Sequence, residues 1–491
     1  MNPILPLNEY IPDGEPHVFG DRVYLYGSHD KARSERFCVQ DYTVWSAPAN
    51  DLTDWTNHGV TYRKDQDPRS RPGKPVDYYA PDCVKGNDGR YYLYYCAMGP
   101  NTKNFGPMSV AVADKPCGPF EYLGDIRYSD GSPVLRFLTN DPAVLNDNGR
   151  IWLYYGWGLA RDFRSRLFAP LLNYVQSKLF DRPIKEIKAT KPSILSCAVA
   201  ELEDDMLTVK DEPKAVLDSK TTAPKNSAMY QHAFYEAPSI RKIGELYYLV
   251  YSTGENNELA YATSRYPDRD FEYRGVIISN SDLGYKDSRK PKAPAGTIHG
   301  GIECINGQWY VFYHRCTNNT DFSRQACAEP IEILPDGSIP QVEITTQGTE
   351  KPLAAGGSYP AAVCCNLTCR KRISLGLGKG QRLPRVDETD GKVYVADVCS
   401  GTELGYKYFD FYGVRNISVT LRGSASGAIE VSTEPDGKAC GRLKVKPNET
   451  WQKITAGIIV PDGIHSLYFR FIGKGKADIL DIAFSCEEEK Q

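Results

Sequence analysis

Residues 87–95 read NDGRYYLYY, a turn-forming Asn-Asp-Gly followed by a run of aromatic and aliphatic side chains. The same turn and aromatic-rich strand recur as GDRVYLYGS (20–28), DNGRIWLYYG (147–156), IGELYYLVYS (243–252) and NGQWYVFYH (306–314). Runs of this kind suit strands packed on both faces. Each is followed by a second strand-like piece rich in Ala and Val: YTVWSAPA (42–49), MSVAVAD (108–114), SCAVAEL (196–202), LAYATS (259–264) and QACAEPIEI (325–333). The copies lie about 60–95 residues apart, and a four-stranded propeller blade needs a little over 40. Five copies therefore predict an all-β chain opening with a five-bladed β-propeller, which avoids long free sheet edges by radial repetition. A generic β-sandwich would account for the strands but not for five copies of one pattern.

Outward from the repeat, the long third interval holds RDFRSRLFAPLLNYVQSKLF (161–180), whose Leu167, Phe168, Leu171, Leu172, Val175 and Leu179 recur at helical spacing. A helix covering the blade edge is expected there; an active-site lid and a contact in a homo-oligomer are the alternatives. After PIEILPDGSIPQVEITTQG (330–348) comes a Gly/Ala/Pro connector, KPLAAGGSYPAA (351–362). Beyond it, short strands such as KVYVADV (392–398), NISVTLRG (416–423), SLYFRFI (466–472) and ILDIAF (479–484) alternate with turn clusters. They predict an appended jelly-roll-like β-sandwich. The expected division is a propeller over 1–348 and a sandwich over 349–491.

Composition narrows the class. Across 491 residues, Lys+Arg 59 against Asp+Glu 62 leaves a net charge of −3, so no basic field invites nucleic acid or anionic lipid. No apolar run reaches the length of a membrane helix. The opening MNPILPLNEYIPDGEP lacks the basic and apolar regions of a secretory signal, which leads to the expectation of a cytoplasmic protein. The 14 cysteines are then expected to be reduced, mostly buried small hydrophobes. Cys364-Cys365-x3-Cys369 lacks the second pair that a zinc site would show. The 33 Tyr beside 17 Phe and 6 Trp favour strands and half-polar surfaces, and most of them fall in the repeated strands.

The repeat also orders the chemistry. Counting eight residues back from the turn positions Asp21, Gly149, Gly244 and Gly307 reaches Asp13, Asp141, Glu236 and His299, each entering the innermost strand of its blade. In the second blade the count reaches Pro81, with Asp82 one residue later, and a one-residue slip turns a strand side chain to the other face. Asp82 is therefore expected to be structural. Three carboxylates converging on one axis raise one another's proton affinity, which is how a general acid arises. Glu236, flanked by Phe234 and Pro238, is the expected acid; Asp13, beside Gly14 and polar neighbours, the expected base; Asp141 the group that tunes the acid. His232, four residues before Glu236, and Trp157, just after a blade strand, are candidate pocket residues. His29 and Asp30 read as turn or rim residues, and His314 and Arg315 as structural.

These segments resemble glycoside hydrolase family 43, through PDGEPHVFGDRVYLYGSHD, YAPD, NDPAV, YEAPSIRKIGELYYLVYS, HGGIECINGQWYVFYH and FSRQAC. The resemblance covers residue 1 to about 348 and implies an inverting glycosidase of the α-L-arabinofuranosidase or β-xylosidase type on plant polysaccharide; the missing secretory signal leads to the expectation of short oligosaccharide substrates and so of an exo-acting pocket. The resemblance implies the base at Asp13, the pKa modulator at Asp141 and the acid at Glu236. It further implies a sugar-contacting Arg324, a stacking Tyr79 in place of the Trp of a WAPD motif, and a blade-five His299 near the axis. No cofactor is required for such hydrolysis; a structural calcium near His299 is the candidate metal. The C-terminal part resembles carbohydrate-binding module family 6, with Trp451 in the WQ-type strand, but carries Asp478 and Ile454 where that module has Asn and Trp. Packing or contact between copies is the favoured role there. Two rivals stand beside this reading. A retaining fructan- or sucrose-type propeller would need an Asn-Asp-Pro-Asn nucleophile segment in blade one, where this chain has PDGEP. A non-catalytic sugar-binding propeller would be favoured by loss of one of the three carboxylates.

Overall fold

The computed structural model describes residues 1–99, 105–160, 162, 169–255, 257–370 and 384–486. Blade one comprises β1 (Glu15–Phe19), β2 (Arg22–Tyr26), β3 (Tyr42–Pro48) and β4 (Thr56–Tyr62). Blade two comprises β5 (Asp77–Lys85), β6 (Tyr91–Met98), β7 (Ser109–Ala113) and β8 (Glu121–Asp125). Blade three comprises β9 (Ala143–Asp147), β10 (Arg150–Gly156), β11 (Ser196–Leu202) and β12 (Lys214–Asp218). Blade four comprises β13 (Phe234–Ile243), β14 (Leu246–Thr253), β15 (Glu258–Ser264) and β16 (Glu272–Ser279). Blade five has β17 (Ile302–Ile305), β18 (Gln308–Arg315) and β19 (Gln325–Ile331). Every blade is an antiparallel meander in chain order. The fifth is completed by the chain's own start, because Ile4 N–H donates to Ala326 O at 3.0 Å and Asn2 bonds both ways with Ala328. Closure of first on last removes a free edge from the ring.

The tyrosine excess has a structural cause. Tyr26, Tyr94 and Tyr154 are buried at equivalent places on β2, β6 and β10. Their hydroxyls donate into the next blade, to Pro116 O (2.6 Å), Met206 O (2.9 Å) and Pro267 O (2.5 Å). Tyr248 on β14 does the same to Gly337 O at 2.9 Å. Phenylalanine would fill the volume between blades but lose these links, and at Tyr94 would leave a buried carbonyl without that partner.

The insertion in blade three forms α1 (Ala169–Leu179) and α2 (Ile184–Ala189). Leu171, Val175 and Leu179 stay about half exposed (59%, 48% and 51%), so the helix does not lay its apolar stripe on the blade edge as its spacing suggests. The insertion is anchored instead by Phe180 and Ile187, which pack with Leu138, Leu195 and Trp157. Leu167 and Phe168 lie outside the described residues.

The C-terminal sandwich is built from β20 (Leu353–Ala354), β21 (Ser358–Pro360), β22 (Asn366–Thr368), β23 (Arg385–Thr389), β24 (Lys392–Cys399) and β25 (Glu403–Phe411). It continues with β26 (Asn416–Gly423), β27 (Ser426–Ser432), β28 (Gly441–Val445), β29 (Asn448–Gly457), β30 (Gly463–Lys474) and β31 (Lys476–Ser485). One sheet runs β20-β25-β30-β27-β28 with β22 on β25; the other runs β23-β24-β31-β26-β29 with β21 on β31. Alternating inward residues such as Phe409, Phe411, Val419, Phe469 and Phe484 fill the space between them. The sandwich grips the propeller through polar contacts. Val386 N–H donates to Thr317 O (2.9 Å), Arg33 Nε to Asp387 Oδ1 (2.7 Å), and buried Lys407 Nζ to Asp282 (3.0 Å) and Glu343 (2.9 Å). None of the fourteen cysteines, all of them among the described residues, is in a disulfide. No helix among the described residues is long and apolar enough to cross a membrane.

Candidate active site

The pairing of first with second strands fixes which residues share a level along the axis. Glu15 pairs Tyr26, Asp82 pairs Tyr94, Ala143 pairs Tyr154, Ser239 pairs Val250, and Gly301 receives the Phe312 N–H. Two residues earlier lies a ring of Asp13, Ala80, Asp141, Ala237 and His299. Four of these hold left-handed backbone: Asp13 (φ 57°), Ala80 (φ 42°), Asp141 (φ 48°) and Ala237 (φ 61°). Non-glycine residues rarely accept that region, and such strain collects where a side chain must be aimed.

Glu236 is therefore not at the level its spacing suggests. The loop between β13 and β14 is Gly244–Glu245, and counting from Gly244 starts one residue earlier than counting from Asp21, Gly149 or Gly307. The true equivalent is Ala237, and Glu236 reaches the site from a bulge, marked by register shifts on both sides of it. A bulge re-aims a side chain in this way. Ala237 N–H then donates to Asp141 Oδ2 at 3.0 Å, locking the bulge to the neighbouring carboxylate. Asp82 also differs from expectation. It faces the axis one level below the ring, where His17 Nε2 lies 2.6 Å from its Oδ1. Its register follows from the turn over residues 86–90, longer than the two-residue turns of the other blades, which makes Ala80 rather than Pro81 the ring residue.

Asp13 is buried and held by cations and donors. Arg324 Nη1 donates to its Oδ1 at 2.7 Å, and Asp30 clamps the same guanidinium through Nε (2.8 Å) and Nη2 (3.1 Å). Arg324 also lies over the Phe37 ring, 4.7 Å from its centroid. His314 lies beneath: its Nδ1 accepts the Asp13 N–H at 3.2 Å and its Nε2 faces Thr297 O at 2.8 Å. Burial alone would raise the Asp13 carboxyl, but Arg324, then His314 and His299, and the Ser28 hydroxyl hold it below its ordinary range. Burial takes His314 down to about 3 and His299 to about 4, so both rings are neutral at physiological pH.

The other two carboxylates go the opposite way. Burial, then the charge of Asp13, pushes Glu236 up to about 7, although the Trp157 N–H donates to its Oε2 at 3.1 Å. Burial, then Glu236 and Asp13, pushes Asp141 well above its usual value. Neither has a cation in hydrogen-bond contact among the described residues, so between them they keep a proton near neutrality. His299 Nδ1 stands 3.9 Å from Asp13 Oδ1 and 4.0 Å from Asp141 Oδ2, spacing the two. One ring thus offers a fixed carboxylate base and a protonated carboxylic acid, the pair that general acid–base hydrolysis needs.

The remaining expected residues divide. Tyr79 is half buried, and its hydroxyl is raised by burial and by neighbours that include Cys38, Asp77 and Asp30, which places it beside the Arg324 clamp. Trp157 touches the acid directly. Arg324 belongs to the site, but its guanidinium is bound to Asp13 and Asp30 rather than held free for a sugar. His232 does not line the axis: its Nδ1 is 2.5 Å from Glu258 Oε1 and its ring stacks on Tyr273 of the outermost strand of blade four. Asp30 and His314, which sequence places at the rim and in the scaffold, both prove to act on the base. Each lies just after the aromatic core of a repeated run, in YLYGSHD and YVFYHR, and that position is the signal by which they can be found. The two carboxylate oxygens that face His299, Asp13 Oδ1 and Asp141 Oδ2, already accept from Arg324 and the Ala237 N–H, and calcium takes six to eight oxygen ligands.

A five-bladed propeller with an ionised and a protonated carboxylate on its axis defines a glycoside hydrolase of the propeller class. The sequence model for glycosyl hydrolases family 43 matches residues 1–339, and the chain belongs to that family. A xylosidase/arabinosidase of Thermoclostridium stercorarium is 41% identical over 98% of this chain and 97% of its own length. Among solved structures, a β-xylosidase/α-arabinofuranosidase from a compost microbial metagenome, in complex with xylotriose and in a calcium-free form, is 26% identical. It covers 70% of this chain and 97% of its own, with a TM-score of 0.52. An arabinoxylan arabinofuranohydrolase from Bacillus subtilis, 20% identical, shares the fold across 99% of this chain and 97% of its own, with a TM-score of 0.50.

Proposed function

We propose that the chain is an inverting, exo-acting glycosidase that releases terminal arabinofuranose or xylose from oligosaccharides of plant origin. The observation that carries this is the unequal partnering of two buried carboxyls: Arg324 Nη1 donates to Asp13 at 2.7 Å, whereas Glu236 meets the neutral Trp157 N–H at 3.1 Å, which drives the first carboxyl down and leaves the second raised. Asp13, ionised, takes a proton from the attacking water; Glu236, protonated, gives one to the leaving oxygen; Asp141, the pKa modulator, is itself raised by burial and by Glu236 and shares with it the proton the pair retains. The names of the relatives support the sugar, and the wall formed by the blade-three insertion beside Trp157 supports a pocket that takes a chain end. The catalytic unit is residues 1–348. The sandwich, 349–491, serves as a buttress, because Trp451 is engaged with Tyr394 and lies under the Arg422 guanidinium, 4.5 Å from the ring centroid.

Nitrophenyl arabinofuranoside, xyloside and galactoside assayed side by side test the sugar, with the first two expected to be cleaved and the third not. Proton NMR of the first-formed anomer tests the stereochemistry: inversion is expected, and initial retention would overturn the assignment of Asp13 as a base.

A further inference from the structure

Below the catalytic ring the axis carries a second polar layer that the proposed hydrolysis does not use. Its inward positions are Glu15, Asp82, Ala143, Ser239 and Gly301, and the level beneath supplies His17, Arg241 and Glu303. Glu15 is 2% exposed and Asp82 1%. One donor atom from each of Glu15, His17 and Asp82 lies within 4.8 Å of the other two, the one such three-residue group among the described residues. Glu15 Oε1 is satisfied by Ser239 Oγ at 2.7 Å and Arg241 Nη1 at 2.9 Å. Its Oε2 is buried with no hydrogen-bond partner among the described residues. Asp82 Oδ2 accepts the Val144 N–H at 2.6 Å, while Oδ1 faces His17 and the Cys83 N–H.

Charge points the same way. Glu15, Asp82 and Glu303 bring three carboxylates, and Arg241, bound to Glu15 and to Glu303 at 3.2 Å, brings one guanidinium. Two negative charges remain, with His17 beside them. A buried carboxylate oxygen left without a partner is expensive, and an excess of buried negative charge more so. A dication that accepts the orphaned oxygen removes both costs.

We propose that Glu15, His17 and Asp82 form a binding site for a first-row divalent cation of the zinc type. One imidazole and two carboxylates suit zinc, whereas calcium prefers more ligands, all of them oxygen. The ligands are Glu15 Oε2, Asp82 Oδ1 and His17 Nε2; as the cation enters, Nε2 gives up the proton that joins His17 to Asp82 and the neutral ring keeps its one proton on Nδ1. The ion is structural. It ties blade one to blade two and, through the Asp82–Val144 bond, to the strand that follows Asp141. This site is independent of the glycosidase assignment, and it shares no ligand with His299.

The test uses the full chain, stripped of metal, with exposed thiols blocked by iodoacetamide, and titrated with zinc sulfate by calorimetry. One equivalent should bind, with a rise in melting temperature; Glu15→Gln should weaken binding at least tenfold and His17→Phe abolish it, while His299→Gln and Asp141→Asn keep it. Absence of stoichiometric binding in the wild-type chain overturns the proposal, as does unchanged affinity in both Glu15→Gln and His17→Phe. If those variants do not fold, anomalous diffraction from zinc-soaked wild-type crystals decides: a peak among the three side chains supports the site, and a peak elsewhere or none refutes it.

Discussion

Two layers of carboxylates share the propeller axis, two residues apart along the inner strands, and they are treated in opposite ways. In the lower layer Glu15 is bonded to Arg241 and Ser239, and Asp82 to His17 and two backbone N–H groups. In the upper ring, among the described residues, only Asp13 is given a cation; Glu236 meets the Trp157 indole N–H and Asp141 the Ala237 backbone N–H. The acid in the upper ring is thus a product of what was withheld from it. Burial is common to both layers, and it is the distribution of partners that separates a binding layer from a reacting one.

The comparison breaks first at Glu236. Glu236→Gln keeps the shape and the Trp157 contact but has no proton to give, so turnover of substrates with poor leaving groups should fall by about 10²–10⁴. Its melting temperature should stay near that of the wild type, measured by calorimetry. Glu15→Gln, one layer down, should leave kcat within a few-fold and move stability instead. Equal loss of turnover in both would mean that the layers are not functionally distinct.

A smaller effect comes from the clamp on the base. Arg324→Gln alone would strand Asp30 as a buried unpaired carboxylate, so the informative variant is Asp30→Asn with Arg324→Gln. Removing the largest influence that lowers Asp13 must raise its pKa. The base works only when ionised, so the acidic limb of kcat/KM should move to higher pH. At a fixed pH on that limb, activity should drop about tenfold for every pH unit by which the limb moves. A loss of activity without movement of the limb would show that Arg324 acts on the sugar rather than on Asp13.

How much of this is legible in the sequence follows from what each signal measures. Strand repeats report packing, and five aromatic runs therefore mark the blades and, through the turns that precede them, the inner strands. The residues at the end of those runs are harder. Asp30 and His314 are polar, terminal and ordinary in composition; only the folded ring brings Asp30, Arg324, Asp13 and His314 from the first and last blades into contact. Glu236 is reached by a count that begins one residue off, and the bulge at Ala237 compensates the error. His232 is misplaced by spacing for the same local reason: it precedes β13, where strand alternation does not yet hold, and it turns to Glu258. Asp82 escapes the count because the turn between β5 and β6, residues 86–90, is longer than the two-residue turns of the other blades, and spacing does not read turn length.

The finest test concerns the donor that the described residues give the acid. The Trp157 N–H favours the ionised form of Glu236 and so lowers a pKa that burial and Asp13 have raised to about 7. Trp157 also packs against Phe105, Phe180 and Tyr235, so Trp157→Phe retains an aromatic ring there while deleting the donor. The acid is active below its pKa and inactive above it. Activity is therefore full on the acidic side of about 7 and declines as pH rises through it, and loss of the donor should carry that alkaline limb upward. One neutral hydrogen bond contributes about 1 kcal/mol, which limits the move to roughly 0.7 of a pH unit. The acidic limb, set by Asp13 and Arg324, should not follow. Movement of both limbs together would mean that the indole organises the whole ring, and a fixed alkaline limb would mean that a group other than Glu236 supplies the proton.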